Sequence, residues 1–215
     1  MSARLIYVMD PLCSWCWGFA PVLEALAAQA AEAGIDTHLV VGGLRRERAP
    51  LAPADRVKIL GHWQAVNAST GQLFDFAAGM PEGFVYDTTA ACRALVTARA
   101  LDGARVLPLL AAIQNAFYCG GSDVTLPLVL VELAEQAGYA RGAFAKRFDA
   151  AEVAEATLED FRWVEMFGIA GFPTLLAERD GQLPGHFRLA HARGAGKQER
   201  THRLAVIAQA RTRQL

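Results

Sequence analysis

The pair Cys13-Ser14-Trp15-Cys16 stands between the apolar run Leu5-Ile6-Tyr7-Val8-Met9 and a stretch with helical spacing. That placement constrains the chain more than any other feature. A strand followed at once by a helix puts Cys13 at the helix start. There the backbone N–H groups are unpaired and the helix dipole is positive, which favours a thiolate. Cys16 lies one turn further on, close enough to close a disulfide with Cys13. Two other readings compete: buried structural cysteines, or half of a zinc site. Zinc takes four ligands, but Cys92 and Cys119 form no second C-x-x-C pair and His38 and His62 show no ligand spacing. The sequence therefore predicts a redox dithiol and no bound metal.

The remaining pattern extends this start. Residues 4–9 read as a buried strand, residues 16–33 as a helix with Pro21 inside it, and residues 36–41 as a second strand. Gly34 is the expected helix stop. Residues 45–53, charged and with two prolines, read as a loop. From about 54 to 167 the chain reads as mostly helical, with segments at 89–101, 105–118, 126–137 and 155–167. Thr157 followed by Asp160 resembles a capping box. After Pro173 a strand is expected, then a hairpin turn at Asp180-Gly181, a return strand within 182–190 and a last helix around 199–213.

Bulk composition narrows the function classes. The chain has 215 residues, is 53% hydrophobic and has a formal net charge of −1, so it reads as a folded globular protein without a charge bias toward nucleic acid. Residues 183–215 are the exception, with seven Lys/Arg against one acidic residue and no interleaved aromatics. They read as a solvated terminal helix or as a poorly ordered tail. No apolar run reaches the roughly 20 residues of a membrane span. The first residues lack a basic flank and an apolar signal core, so a cytoplasmic protein with reduced thiols is expected.

Two segments together resemble a known family. Asp10-Pro11-Leu12-Cys13-Ser14-Trp15-Cys16-Trp17-Gly18 and Gly168-Ile169-Ala170-Gly171-Phe172-Pro173-Thr174 are similar to the active-site motifs of the DsbA-like thioredoxin-fold proteins. The match is closest to the cytoplasmic branch that is FrnE-like and 2-hydroxychromene-2-carboxylate isomerase-like. Pro21, five residues after Cys16, also matches the thioredoxin pattern. The resemblance implies an α/β thioredoxin fold with a large helical insertion between the βαβ half and the C-terminal β-hairpin half. The implied division is residues 1–49 and 161–215 for the thioredoxin-like domain and 50–160 for the insertion. It implies a cis Pro173 facing the dithiol, with Cys13 and Cys16 catalytic and Trp15, Phe172, Pro173 and Thr174 in contact with substrate.

The resemblance points to thiol–disulfide oxidoreductase chemistry, with Cys13 attacking and Cys16 resolving. Ser14-Trp15 carries no cation, which favours reduction or isomerisation over oxidation. The expected partner is a disulfide-containing protein or a small thiol, with glutathione a candidate co-substrate and no bound cofactor. Two alternatives stay open: a glutathione-dependent isomerase or transferase of the related fold, and a non-catalytic binding module. Cys92 reads as a core residue, and a Cys92–Cys119 disulfide is left undecided. Asp10 reads as structural, and Trp17 is divided evenly between core and site. Gly42-Gly43-Leu44 is expected to border the site.

Overall fold

The computed structural model describes residues 3–180. Strand β1 (Ala3–Met9) lies at the centre of a three-stranded sheet. It pairs in parallel with β2 (Asp36–Val41), Tyr7 against Leu39, and antiparallel with β5 (Thr174–Arg179), Val8 against Thr174. A central strand is covered on both faces, which explains its uninterrupted apolar run. Ile6 and Val8 meet Val164 on one face, while Tyr7 and Met9 join the main core on the other.

Helix α1 (Ser14–Glu32) connects β1 to β2 and buries Cys16, Trp17, Leu23 and Ala30. It closes at Gly34, whose φ of 66° suits glycine. Pro21 sits inside the helix and cannot donate to the Trp17 carbonyl four residues back. The side-chain amide of Gln72 donates to that carbonyl instead, at 3.1 Å. A defect written into α1 is thus compensated from a distant loop.

After β2 the chain forms a two-stranded ribbon, β3 (Arg46–Pro50) with β4 (Val85–Asp87), separated by α2 (Pro53–Thr70). Residues 45–53 were expected as a loop, so β3 is a correction. Its five residues are all exposed and none gives an apolar alternation to read. Then follow α3 (Thr89–Leu101), a 3-10 turn (Gly103–Arg105), α4 (Val106–Tyr118), α5 (Pro127–Gln136), α6 (Arg141–Phe148) and α7 (Ala151–Met166). The capping-box reading of Thr157 and Asp160 is also corrected. α7 starts four residues earlier than expected, so Thr157 lies inside it and donates back to the Val153 carbonyl at 2.7 Å. Asp160 instead accepts from the Val41 N–H and from Arg99.

Trp63, Phe74, Phe117 and Tyr118 pack edge-on or tilted with ring centroids 4.9–5.5 Å apart. That aromatic nucleus belongs to the same buried cluster as Tyr7, Met9, Cys16 and Val41. α7 runs unbroken across the position between residues 160 and 161. Among the described residues no helix is long and apolar enough to cross a membrane. The expected return strand, final helix and basic segment lie outside the described residues.

Candidate active site

The dithiol sits where β1 hands over to α1. Asp10 organises the connection. Its carboxylate accepts from the Leu12 N–H at 2.9 Å and its carbonyl from the Cys13 N–H at 3.1 Å, a tight turn that delivers Cys13 to the helix start. Cys13 is the N-cap residue in extended conformation, and its carbonyl accepts from the Cys16 N–H at 2.9 Å and the Trp17 N–H at 3.1 Å. Cys13 retains 7% of its surface and Cys16 none, so of the two cysteines only the first reaches solvent. Burial, together with its hydrogen bond to Cys13 and the charge of that neighbour, holds the Cys16 thiol well above its ordinary range.

The opposite wall comes from the entry to β5. The Phe172–Pro173 peptide bond is cis. The Cys13 thiol donates to the Phe172 carbonyl at 3.7 Å. Thr174 is buried, pairs with Val8 and donates through its hydroxyl to the Gly171 carbonyl at 2.8 Å. The Phe172 ring lies directly on Gly42, where a Cβ would stand 1.9 Å from its Cζ. Gly42 is therefore required by the aromatic wall and not by a phosphate. Trp15 is half-buried and packs against the core beside the thiols. The structure thus brings Cys13, Cys16, Phe172, Pro173 and Thr174 to one place, with Trp15 on the helix turn between the cysteines.

Several residues of this site were not singled out from the sequence. The second Asp10 oxygen accepts from the Leu44 N–H at 2.7 Å, the Thr88 hydroxyl at 2.8 Å and the Cys92 thiol at 3.5 Å. Burial raises the Asp10 carboxyl above its ordinary value, and the donors pull it back. Tyr86 donates from its hydroxyl to the Leu12 carbonyl at 2.5 Å. The Tyr7 hydroxyl is buried and has no hydrogen-bond partner. Nothing in the spacing of Thr88, Tyr86 or Tyr7 marks them, because each reaches the dithiol through the fold. Trp17 settles as a core residue with a polar tie: it stacks on Tyr118 at 5.9 Å and its indole N–H donates to the Leu73 carbonyl at 2.8 Å. Beside it an apolar cleft of about 400 Å³ separates α1 from α4. Cys92 and Cys119 are free thiols, the first fully buried.

A parallel–antiparallel sheet, an N-capping cysteine with a second one turn later, and a cis Phe172–Pro173 bond whose Phe172 carbonyl accepts from Cys13 belong to a thioredoxin-like fold carrying a dithiol. The chain belongs to the family of the DSBA-like thioredoxin domain, which matches residues 4–197. Among solved structures it is similar to a candidate protein disulfide isomerase from Nitrosomonas europaea. That likeness has 36% identity and a TM-score of 0.83, and covers 98% of this chain and 99% of the other. It is also similar to the cytosolic disulfide reductase DsbM from Pseudomonas aeruginosa, at 33% identity and a TM-score of 0.76 over 97% and 99% of the two chains. The same reductase with glutathione aligns at 29% identity with a TM-score of 0.74, over the same shares. The search among curated proteins found no match.

Proposed function

We propose that this protein is a thiol–disulfide oxidoreductase of the reductase or isomerase type, working through Cys13 and Cys16. The observation that carries the reading is the N-capping Cys13 thiol lying 3.7 Å from the Phe172 carbonyl beside a cis proline. Cys13 as thiolate attacks one sulfur of a substrate disulfide. A Cys13–substrate disulfide forms, and the other substrate sulfur leaves as a thiolate that takes a proton. Cys16 then gives up its proton and attacks the Cys13 sulfur. The Cys13–Cys16 disulfide forms and the second substrate thiol is released, so the substrate gains two electrons and the protein loses two. Glutathione is the proposed reductant that returns the pair to dithiol, two molecules being oxidised to one disulfide. The DsbM relative with glutathione supports that choice.

Trp15, Phe172, Pro173 and Thr174 form the proposed substrate contact. The backbone at Phe172 would pair an extended segment of a disulfide-containing protein, and Trp15 would supply apolar surface. The cytosolic DsbM relative supports a cytoplasmic location. The division into residues 1–49 with 161–215, and 50–160, belongs to the same proposal.

Turnover of a glutathionylated peptide by Cys16→Ala tests the reading. Loss of multiple turnover, with glutathione or peptide held on Cys13, is expected. Undiminished turnover would instead favour the glutathione-dependent isomerase or transferase, which needs one thiol. A Cys13 that resists alkylation at neutral pH would favour the binding module.

A further inference from the structure

The peptide that joins Leu12 to Cys13 is held at both of its polar atoms. Its N–H donates to the Asp10 carbonyl at 3.1 Å, and its carbonyl accepts from the Tyr86 hydroxyl at 2.5 Å. The Leu12 N–H donates to the Asp10 carboxylate, and the Leu12 side chain is fully buried. The Asp10 contacts are local, within the segment that carries the cysteines. The Tyr86 hydroxyl is not: it arrives from β4, 74 residues along the chain.

Tyr86 is itself fixed from several sides. It is buried, its ring lies tilted against Phe84 at 5.4 Å and Phe117 at 6.4 Å, and the Arg45 guanidinium sits over it at 5.0 Å. Arg45 is held in turn by Glu47 at 3.6 Å and through its carbonyl, which accepts from the Thr88 N–H at 3.0 Å. A ring packed this way delivers its hydroxyl to one place, without the loss of freedom a mobile side chain would suffer. Burial first, and then the charges of Asp10 and Cys13, raise the Tyr86 phenol, so the hydroxyl keeps its proton and stays a donor.

We infer that Tyr86 is a positioning residue for Cys13: its hydroxyl fixes the Leu12–Cys13 peptide plane and so aims the Cys13 thiol at a disulfide docked along Phe172. This rests on the redox reading above. The peptide is planar, so its orientation sets the φ of the residue that follows, which is −84° at Cys13. Turning that plane swings the Cys13 Cβ and carries the thiol away from the Phe172 carbonyl, 3.7 Å off. Attack on a disulfide needs the thiolate aligned with the bond that breaks, and a misplacement of about 1 Å can cost up to about 100-fold. The chemistry itself is unchanged. The Cys13 thiolate bonds to one substrate sulfur, the S–S bond breaks, and the other sulfur leaves as a thiolate that takes a proton from solvent. Tyr86 acts through the backbone and gives up no proton.

Tyr86→Phe removes one oxygen and keeps the ring, with near-UV circular dichroism as the check on folding. In Cys16→Ala protein, the rate at which Cys13 forms a mixed disulfide with a symmetric peptide disulfide is expected to fall about tenfold. Iodoacetamide alkylation of Cys13 needs no docked partner and is expected to change less than about twofold. Tyr118→Phe removes a buried hydroxyl that has no hydrogen-bond partner among the described residues, and both rates are expected to hold. An unchanged disulfide rate, parallel slowing of alkylation, or the same loss from Tyr118→Phe would overturn the inference. A second measurement needs no exchange chemistry. On Tyr86→Phe, hydrogen exchange of the Cys13 amide is expected to quicken at least about tenfold relative to the Val8 amide of β1. Equal acceleration of the two amides is what a merely structural role gives, and it overturns the inference, as does no acceleration. A quickened Cys13 amide in a protein that forms no mixed disulfide would sink the redox reading and leave the fixing of the peptide plane standing.

Discussion

At the residue scale, Asp10 does the most with the least sequence signal. A buried carboxylate is expensive unless donors surround it, and here the Leu12 and Leu44 N–H groups, Thr88 and Cys92 do so. Those donors tie the Cys13 turn to the end of β2 and to α3. Asp10 still titrates above its ordinary 3.8, with burial as the main cause. The folded state therefore holds the proton more tightly than the unfolded chain. The stability this gives is complete below about pH 3.8 and is lost as pH rises through the folded value. Relative to Asp10→Asn, wild-type stability in urea should decline over that rise. A difference that stays flat or grows would contradict the burial account. The cysteine pair was legible from local spacing, and Phe172-Pro173-Thr174 from the family resemblance. Thr88 and Tyr7 were not, because their neighbours come from other strands and helices; Cys92 was legible as a core residue but not as a donor to Asp10.

At the element scale, small and imino residues decide how the site's walls meet. Gly42, directly after β2, lies against the Phe172 ring, with no room for a methyl group. Gly42→Ala is expected to push the aromatic wall away from Cys13, costing about 1–3 kcal/mol of stability. Reduction of a disulfide substrate should fall while Cys13 alkylation persists; equal activity and stability would refute the contact. The sequence reading placed Gly42-Gly43-Leu44 at the site's edge, which the structure bears out, but the partner ring was invisible. Pro21 in α1 is the complementary case. Removing the Gln72 amide by Gln72→Ala should cost about 1 kcal/mol, and less in Pro21→Ala, where a backbone N–H is restored. A double-mutant cycle showing strict additivity would contradict this. The strands 4–9, 36–41 and the helix between them were legible from apolar periodicity. β3 and β4 were not, because short exposed ribbons have none.

At the scale of the whole molecule, the helical segment is fastened to the C-terminal half of β2 twice. Asp10 takes the Leu44 N–H just past the strand and the Thr88 hydroxyl at the start of α3. Within the strand, Arg99 of α3 grips Asp160 of α7 through two bonds of 2.8 and 3.0 Å, and together they occupy the Leu39 carbonyl and the Val41 N–H. These would otherwise be open backbone groups on a sheet edge. Asp160→Ala leaves Arg99 unpaired in a mostly buried position and is expected to cost about 3 kcal/mol in denaturant unfolding. A cost near zero would show that the clamp is dispensable. No sequence rule joins Arg99 to Asp160, and the capping-box pattern pointed elsewhere. The Cys13 thiol and the Phe172 carbonyl mark the proposed dithiol exchange site. Intact mass measurement of Cys16→Ala protein after incubation with oxidised glutathione puts that proposal to the test. One glutathione per chain is expected, located on Cys13 and stable until reductant is added. Adduct-free protein, or glutathione on Cys119 with Cys13 unmodified, would contradict it.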